Sequence, residues 1–324
     1  MGKTAHGSNQ DKKIYYECSM TVTQEYNKAI LKGRKNHIAY QQVGDRQLWK
    51  VYKDAATKVS GKIMAAETPI TRGQFKTLLA SIKSELDRLD NKVLHLINRN
   101  INKSVKIGVK DSVDRIKIYK DYIPAVYVIK PTSSVLNSIY HDAVRALFRR
   151  PLDGIALSDR VWDIHVASLT KIRRIIGTGF LYGEPQYKIA QQVRKMLLIS
   201  DSDMRKKVWK EFFKRYPPGR GVYKSAYQNT RRVMRTEINN AYKLAQSEYA
   251  KSRAWILGVK WNRVAGAEDC PECDDYDTQD LYGLGSGVYP GGEIPTSHPN
   301  CLCFLTEVFN ETIRVSIASA RVVV

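Results

Sequence analysis

The feature that most constrains this chain is a short acidic segment near its C-terminal end. This segment holds four of the five cysteines and one of the six histidines of the 324-residue sequence. It reads CPEC over 270–273 and, after 24 intervening residues, HPNCLC over 298–303. Closely spaced cysteines in a reducing compartment favour metal binding over disulfide formation. The spacing therefore predicts a metal site.

Zinc is the metal that this set of side chains predicts. Zn²⁺ takes four tetrahedral ligands, and a Cys-x-x-Cys turn brings two thiolates to one side of the ion. Cys270 and Cys273 have this spacing, and His298 offers a third ligand. The fourth is either Cys301 or Cys303, which would point to the same face of a strand. Cys301 is slightly preferred, and Cys303 stays a candidate.

The predicted role of the zinc ion is structural. The 24 residues between the two motifs contain few large apolar side chains, so metal binding would supply folding free energy, about 10 kcal/mol or more. A catalytic zinc keeps one position open and has a carboxylate nearby, for which Asp269, Glu272 and Glu293 are the candidates. Because four or more protein ligands fill the coordination shell, we expect no catalytic residues. The alternative is a group of buried thiols with an unrelated surface histidine.

Charge divides the chain into two parts. The net charge is +21, yet residues 264–313 contain ten acidic side chains and no lysine or arginine. Residues 1–263 carry 51 basic and 22 acidic side chains, a net charge of +29. We expect this basic part to attract polyanions such as nucleic acid, and the acidic segment to have another role.

Neither a membrane span nor a secretory signal is predicted. No apolar run approaches the roughly 18 residues that a spanning helix needs. The N-terminal residues are not followed by the apolar stretch of a signal peptide. We therefore expect a protein that is made and kept in a cytoplasm.

Apolar periodicity predicts a mainly α-helical fold with a small C-terminal zinc-stapled, β-rich module, α+β overall. Steps of three and four residues predict helices over 71–97, 131–151, 158–179, 185–197 and 226–254, with a break at 98–110. Strands are predicted over 259–264 and 301–305. The predicted domains are a basic N-terminal arm (1–68), a helical body (69–257), the zinc-binding module (258–310) and a C-terminal tail (311–324).

The densest basic run is predicted to contact nucleic acid without reading its sequence. It interleaves aromatic residues with eight cations, a pattern that suits backbone contact and base stacking. These cations are Arg205, Lys206, Lys207, Lys210, Lys214, Arg215, Arg220 and Lys224. For this run taken alone, aromatics buried in a core beside a solvated basic face are the preferred interpretation, whereas for the whole basic part of the chain nucleic-acid contact is preferred.

Three motifs in order resemble the minor head proteins of tailed bacteriophages, the Mu F-like and SPP1-type head morphogenesis family. They are LSDRVW over 157–162 with the helices that follow, RTE over 235–237, and the CPEC and HPNCLC pair. Together the three motifs cover about 157–305. The CPEC and HPNCLC pair is the specific one of the three. Leu302 occupies a position between the last two cysteines where the family commonly has an arginine. The resemblance implies a component of the head interior near the portal, needed for head assembly or DNA handling, with no catalytic residues to carry over.

The function predicted from these observations is that of a non-enzymatic minor capsid protein. It would act in head morphogenesis and in DNA packaging or ejection, and bind double-stranded DNA without sequence preference. Its partners would be the portal protein or the major capsid protein, and its place the virion head after assembly in the host cytoplasm. The alternative is a metal-dependent nuclease acting on phage or host nucleic acid.

Overall fold

The computed structural model describes residues 21–119, 131–149, 157–198, 225–264, 270–299 and 301–310. The helices are α1 (Val22–Met64), α2 (Arg72–Ile116), α3 (Ser133–Arg149), α4 (Leu157–Leu181), α5 (Gln186–Leu197), α6 (Ala226–Lys251) and α7 (Pro271–Thr278). The strands are β1 (Ile256–Asn262), β2 (Val288–Tyr289) and β3 (Phe304–Phe309). The predicted fold class is confirmed: helices dominate, and one small sheet lies near the C-terminal end.

Helix α1 occupies most of the stretch that the sequence analysis treated as an arm. A capping box between Thr21 and Gln24 begins it, and a face that includes Leu48, Tyr52 and Val59 is buried. This face packs against α2, α5 and α6. Periodicity is weak here because small and polar residues also lie on the buried face, which lowers the contrast between its two sides.

Helix α2 runs without interruption through 98–110, where the sequence analysis predicted a break. This prediction is wrong because small and polar residues of that stretch form the contact with α6. Ser104 Oγ donates to the Ile238 carbonyl at 2.8 Å, and a Cβ on Gly108 would lie 2.5 Å from the Tyr242 carbonyl oxygen. Small side chains at these positions allow the two helices to approach closely, and α6 covers them.

Helix α6 is the central element of the fold. Nearly every one of its residues is buried, and it packs on α1, α2, α3, α4 and β1.

Helix α4 extends past its predicted end at Gly177 and Gly179. Gly179 serves a packing role because it lies against Ile189 of α5, and a Cβ at this position would be only 2.6 Å from the isoleucine side chain. The turn that ends α4 contains Gly183, whose φ is +65°.

The sheet has the order β2-β1-β3, and both pairings are antiparallel. Strand β1 pairs with β3 from Ile256 opposite Phe309 to Asn262 opposite Phe304. The segment with Cys301 and Cys303 precedes β3 instead of lying within it, so the same-face argument for a strand does not apply to these cysteines.

One continuous apolar core includes residues from Tyr26 of α1 to Phe309 of β3, and the four described cysteines belong to it.

The domain boundaries proposed from the sequence stay predictions, and the tail at 311–324 lies outside the described residues. Within the described residues, no helix combines the length and the apolar content that crossing a membrane requires.

Candidate metal centre

Two segments bring the five predicted ligand side chains together. Cys270 is the N-cap residue of α7, Pro271 is its first residue, and Cys273 lies in its first turn. His298 and Cys301 lie in a turn in which the Cys301 backbone N–H donates to the His298 carbonyl at 3.2 Å. The antiparallel pairing of β1 with β3 then places this turn beside α7, because the chain leaves β1 and returns to β3 on the same side.

The ligand atoms form two overlapping groups that share Cys273. One group is Cys270, Cys273 and His298, the other is Cys273, Cys301 and Cys303, and within each group all atoms lie within 4.8 Å of one another. Cys273 Sγ is 3.0 Å from His298 Nε2, 3.9 Å from Cys301 Sγ and 3.4 Å from Cys303 Sγ. Ligand atoms around tetrahedral zinc are separated by about 3.5–3.8 Å. The cluster can therefore hold one metal ion.

Burial and hydrogen bonding prepare the histidine for this role. His298 is 8% exposed, and each of the four cysteines is 4% exposed or less. His298 Nδ1 lies 2.9 Å from the Pro299 carbonyl, a contact that keeps the proton on Nδ1 and turns the lone pair of Nε2 toward the sulfur atoms. Metal-binding histidines are commonly oriented by such a partner.

Of the three thiols Cys273, Cys301 and Cys303, Cys301 ionises most readily. Hydrogen bonds from Cys273 and then Cys303 lower its pKa well below the usual thiol value, and the nearby Lys243 ammonium lowers it further. The pKa of Cys273 is raised, first because its thiol donates to Cys301. Metal ligands must be deprotonated, so metal binding would release the protons that these thiols share.

Lys243 of α6 is a functional residue that the sequence analysis missed. Its side chain is 1% exposed, and its Nζ donates to Ser297 Oγ at 2.5 Å and to Cys301 Sγ at 3.5 Å. The ammonium also lies 3.8 Å from the centre of the Trp261 ring. No motif in the sequence marks this residue, since its position beside the sulfur atoms depends entirely on how α6 packs.

Helix α6 also anchors the backbone of the ligand segments. Asn239 Nδ2 donates to the Cys301 carbonyl at 2.8 Å, and Asn240 Oδ1 accepts from the Ser297 backbone N–H at 3.1 Å. Ser247 Oγ accepts from the Gly292 backbone N–H at 2.8 Å. These amide and hydroxyl groups hold a loop with little apolar content against the helical body.

Of the three carboxylates considered as catalytic partners, the two that the structure describes do not lie in the buried cluster. Glu272 and Glu293 are exposed, and Asp269 lies outside the described residues. With five donors in two overlapping groups that share Cys273, more protein ligands are available than a tetrahedral shell needs, so the geometry suits a closed coordination shell better than one that keeps a place for water.

The predicted nucleic-acid contacts from Arg205 to Lys224 also lie outside the described residues.

The first two motifs of the phage resemblance lie next to each other in the structure. Arg160 of the first motif donates to Glu237 of the second at 2.7 Å, and the two side chains are 14% and 6% exposed. The Glu237 carboxylate is thus buried in an ion pair instead of being solvated. Burial still raises the pKa of Glu237, although Arg160 opposes that effect.

Comparison of the chain with protein-family models, with curated proteins and with solved structures finds no match.

Proposed function

We propose that the C-terminal Cys/His cluster binds one structural zinc ion through Cys270, Cys273, His298 and Cys301. Cys303 would remain a thiol that donates a hydrogen bond to the ligand sulfur atoms. The observation that carries this assignment is the pair of overlapping, buried donor groups that share Cys273. Zinc is preferred over other metals because a mixed thiolate and imidazole set with tetrahedral spacing suits it.

Metal analysis of two serine variants tests this assignment. We expect about one zinc per chain for the wild type and for Cys303→Ser, and less than about a fifth of that for Cys301→Ser, because only Cys301 would bind the ion directly. The reverse pattern, with zinc lost from Cys303→Ser and kept by Cys301→Ser, would exchange the two roles. A well-folded wild type without metal would refute the zinc site itself.

For the whole protein, we propose a role as a minor head protein of a tailed bacteriophage. It would lie inside the head near the portal, assist head assembly and DNA packaging or ejection, and bind double-stranded DNA without sequence preference. The order of the three motifs supports this proposal, and the Arg160–Glu237 pair gives two of them a shared structural role. The net charge of +29 over residues 1–263 supports contact with DNA.

Two experiments test this role. Co-expression with the portal and major capsid proteins of the same phage should yield a complex that survives size-exclusion chromatography, whereas failure to associate with either protein would contradict the proposal. Incubation with duplex DNA and zinc or magnesium should give binding without cleavage. Nicking that Cys270→Ser abolishes while binding persists would instead establish the nuclease alternative.

A further inference from the structure

Helix α2 carries a row of exposed cations that the metal centre does not use. The row comprises Lys92, Arg99, Lys103, Lys106 and Lys110. Successive members are separated by seven, four, three and four residues, a spacing that places all of them on one face of a helix. The row extends over about five turns, or about 27 Å.

Helix α1 carries a second row that lies beside the first. Its members, Lys28, Lys32, Lys35, Arg46 and Lys50, are exposed and recur at steps of four, three, eleven and four residues. Side-chain contacts join the two helices along these rows: an Arg99 guanidinium nitrogen donates to Gln47 Oε1 at 3.0 Å, and Lys92 Nζ lies 3.5 Å from Asp54 Oδ2. The two rows therefore form one basic face, the α1–α2 face.

Few carboxylates neutralise the central part of the α1–α2 face. Between residues 26 and 53 the single acidic residue is Asp45, which is 4% exposed and bound to Arg231 and Arg235 of α6. Residues 91–110 contain no acidic residue. Within the part of the chain that the structure describes, only the end members of the α2 row contact carboxylates, Lys92 at Asp54 and Lys110 at Asp114.

Elsewhere on the same two helices, several cations are paired with carboxylates. Lys58 contacts Asp54 at 3.1 Å, Lys83 contacts Asp87 at 2.8 Å, and Arg88 contacts Glu85 at 3.0 Å. The excess of positive charge is therefore concentrated on the α1–α2 face. The paired cations elsewhere on these helices provide a comparison within the same protein.

We propose that the α1–α2 face binds the phosphate backbone of duplex DNA. This inference rests on the proposed function and deepens its DNA-binding part by naming a surface outside residues 205–224. A straight row of about 27 Å matches roughly eight base pairs of backbone at 3.4 Å each. Lysine and arginine on the outside of a helix reach phosphates without reading base edges, so binding is independent of sequence.

The composition of the face favours nucleic acid over an acidic protein. Interfaces between proteins usually contain an apolar centre with aromatic anchors. In residues 22–53 and 91–110, the exposed large apolar side chains are Leu31 and Val43, with no aromatic residue among them. The affinity of such a face comes from the release of counterions, and it therefore depends steeply on salt.

Three charge-matched variants of the full chain test the proposal. The face variant combines Arg46→Gln, Lys50→Gln, Lys103→Gln and Lys106→Gln, at exposed positions that pair with no carboxylate of the described residues. The control variant removes four cations that do pair with carboxylates: Lys58→Gln, Lys83→Gln, Arg88→Gln and Lys117→Gln. The third variant replaces Lys206, Lys207, Lys210 and Lys214 with glutamine.

Fluorescence anisotropy with two duplexes of unrelated sequence, titrated over a range of salt concentrations, provides the measurement. We expect the face variant to bind both duplexes at least about tenfold more weakly than the wild type at about 0.1 M salt. The slope of log K against log salt should become shallower by about 3.6, since four phosphate contacts are lost. The control variant should lose less than about threefold, because its cations are already partly neutralised.

Equal losses in the face and control variants would overturn the inference, because net charge alone would then explain binding. Loss confined to the third variant would also overturn it, while leaving DNA binding by the protein intact. A wild type that binds an acidic polypeptide but neither duplex would refute both this inference and the DNA-binding part of the proposed function.

Discussion

Lys243 shows how one residue can link the helical body to the metal centre. Among the described residues no carboxylate contacts its buried ammonium, which lies against Ser297, Cys301 and the Trp261 ring. A buried charge is costly unless it is compensated. Zinc bound by three thiolates and one neutral imidazole would carry a net charge of −1, which this ammonium would balance. We therefore expect lysine and metal to stabilise each other.

Replacing Lys243 with methionine, which keeps the length of the side chain but removes its charge, should weaken zinc binding by about tenfold to a hundredfold. Lys243→Arg should have a smaller effect because it keeps the charge. Lys251→Met serves as the control, since Lys251 is exposed at the end of α6. Competition with a chromophoric chelator measures the affinity. A folded Lys243→Met protein with wild-type zinc affinity would contradict the role of the lysine.

His37 makes stability depend on pH. Burial lowers its pKa from 6.5 to about 3; its ring stacks on Tyr242 at 4.0 Å, and its Nε2 lies 3.1 Å from Gln41 Nε2. Below about pH 6.5 the unfolded chain binds a proton that the folded chain excludes. The free energy of unfolding should therefore decrease as pH falls from about 6.5 toward 3, by at most about 1.4 kcal/mol per unit.

Urea unfolding of the wild type and of His37→Gln at pH 7 and pH 5 measures this contribution. The wild type should lose about 2 kcal/mol more than the variant between the two pH values, because glutamine does not titrate. Comparing the two proteins removes the pH dependence of the metal centre, which both retain. An identical pH dependence in both proteins would show that the imidazole does not contribute.

Between elements, a buried ion pair joins α2 to β3. Arg115 in the last turn of α2 donates to Glu307 Oε1 at 2.7 Å, and these side chains are 2% and 1% exposed. A second arginine nitrogen donates to the Leu305 carbonyl at 3.1 Å. Tyr26 of α1 donates to Glu307 Oε2 at 2.5 Å, and burial raises its pKa well above the usual value. Three elements distant in sequence thus meet at one carboxylate.

Glu307→Gln should destabilise the protein by about 3–5 kcal/mol, because it leaves the Arg115 guanidinium buried without its counter-ion. The double variant Arg115→Met, Glu307→Leu should recover a large part of this loss, since it removes both charges. Asp114→Asn, at an exposed pair, should cost about 1 kcal/mol or less. Urea unfolding measures all three. A cost of less than about 1 kcal/mol for Glu307→Gln would mean that the pair does not hold the sheet in place.

At the scale of the whole molecule, two kinds of stabilisation act on different parts of the chain. The sheet belongs to the apolar core through Trp255 and Phe309, whose rings stack at 5.8 Å. The connection between β1 and β3 depends on the cysteine cluster and on polar anchors from α6. Loss of metal should therefore loosen the connection while the helices and the outer parts of the sheet persist.

Removal of zinc by a strong chelator should increase cleavage in this connection by about tenfold or more, since metal binding supplies its folding free energy. A glutamate-specific protease is the suitable probe, because residues 264–313 contain no lysine or arginine and include Glu272 and Glu293. The helical circular dichroism signal should change little, and Cys273→Ser should reproduce the cleavage without chelator. An unchanged cleavage rate, or collapse of the helical signal, would contradict this division.

Local sequence pattern was enough to predict the fold class and the side chains that form the Cys/His cluster. Cys-x-x-Cys spacing is local information, because a tetrahedral ion constrains residues that are neighbours in the chain. Apolar periodicity is local in the same sense, so it revealed α3, α4, α5 and α6 with errors mainly at their ends.

Only the tertiary structure decided which polar and small residues are buried. Ser104 and Gly108 interrupt the apolar pattern of α2, yet α6 covers them. Lys243 and Arg115 have the side chains of surface residues, but in the folded protein they are surrounded by sulfur, carboxylate and carbonyl groups from distant segments. A polar side chain is stable in the interior only where partners satisfy it. Those partners come from positions as far apart as 26 and 307, and their proximity is a property of the packed molecule alone.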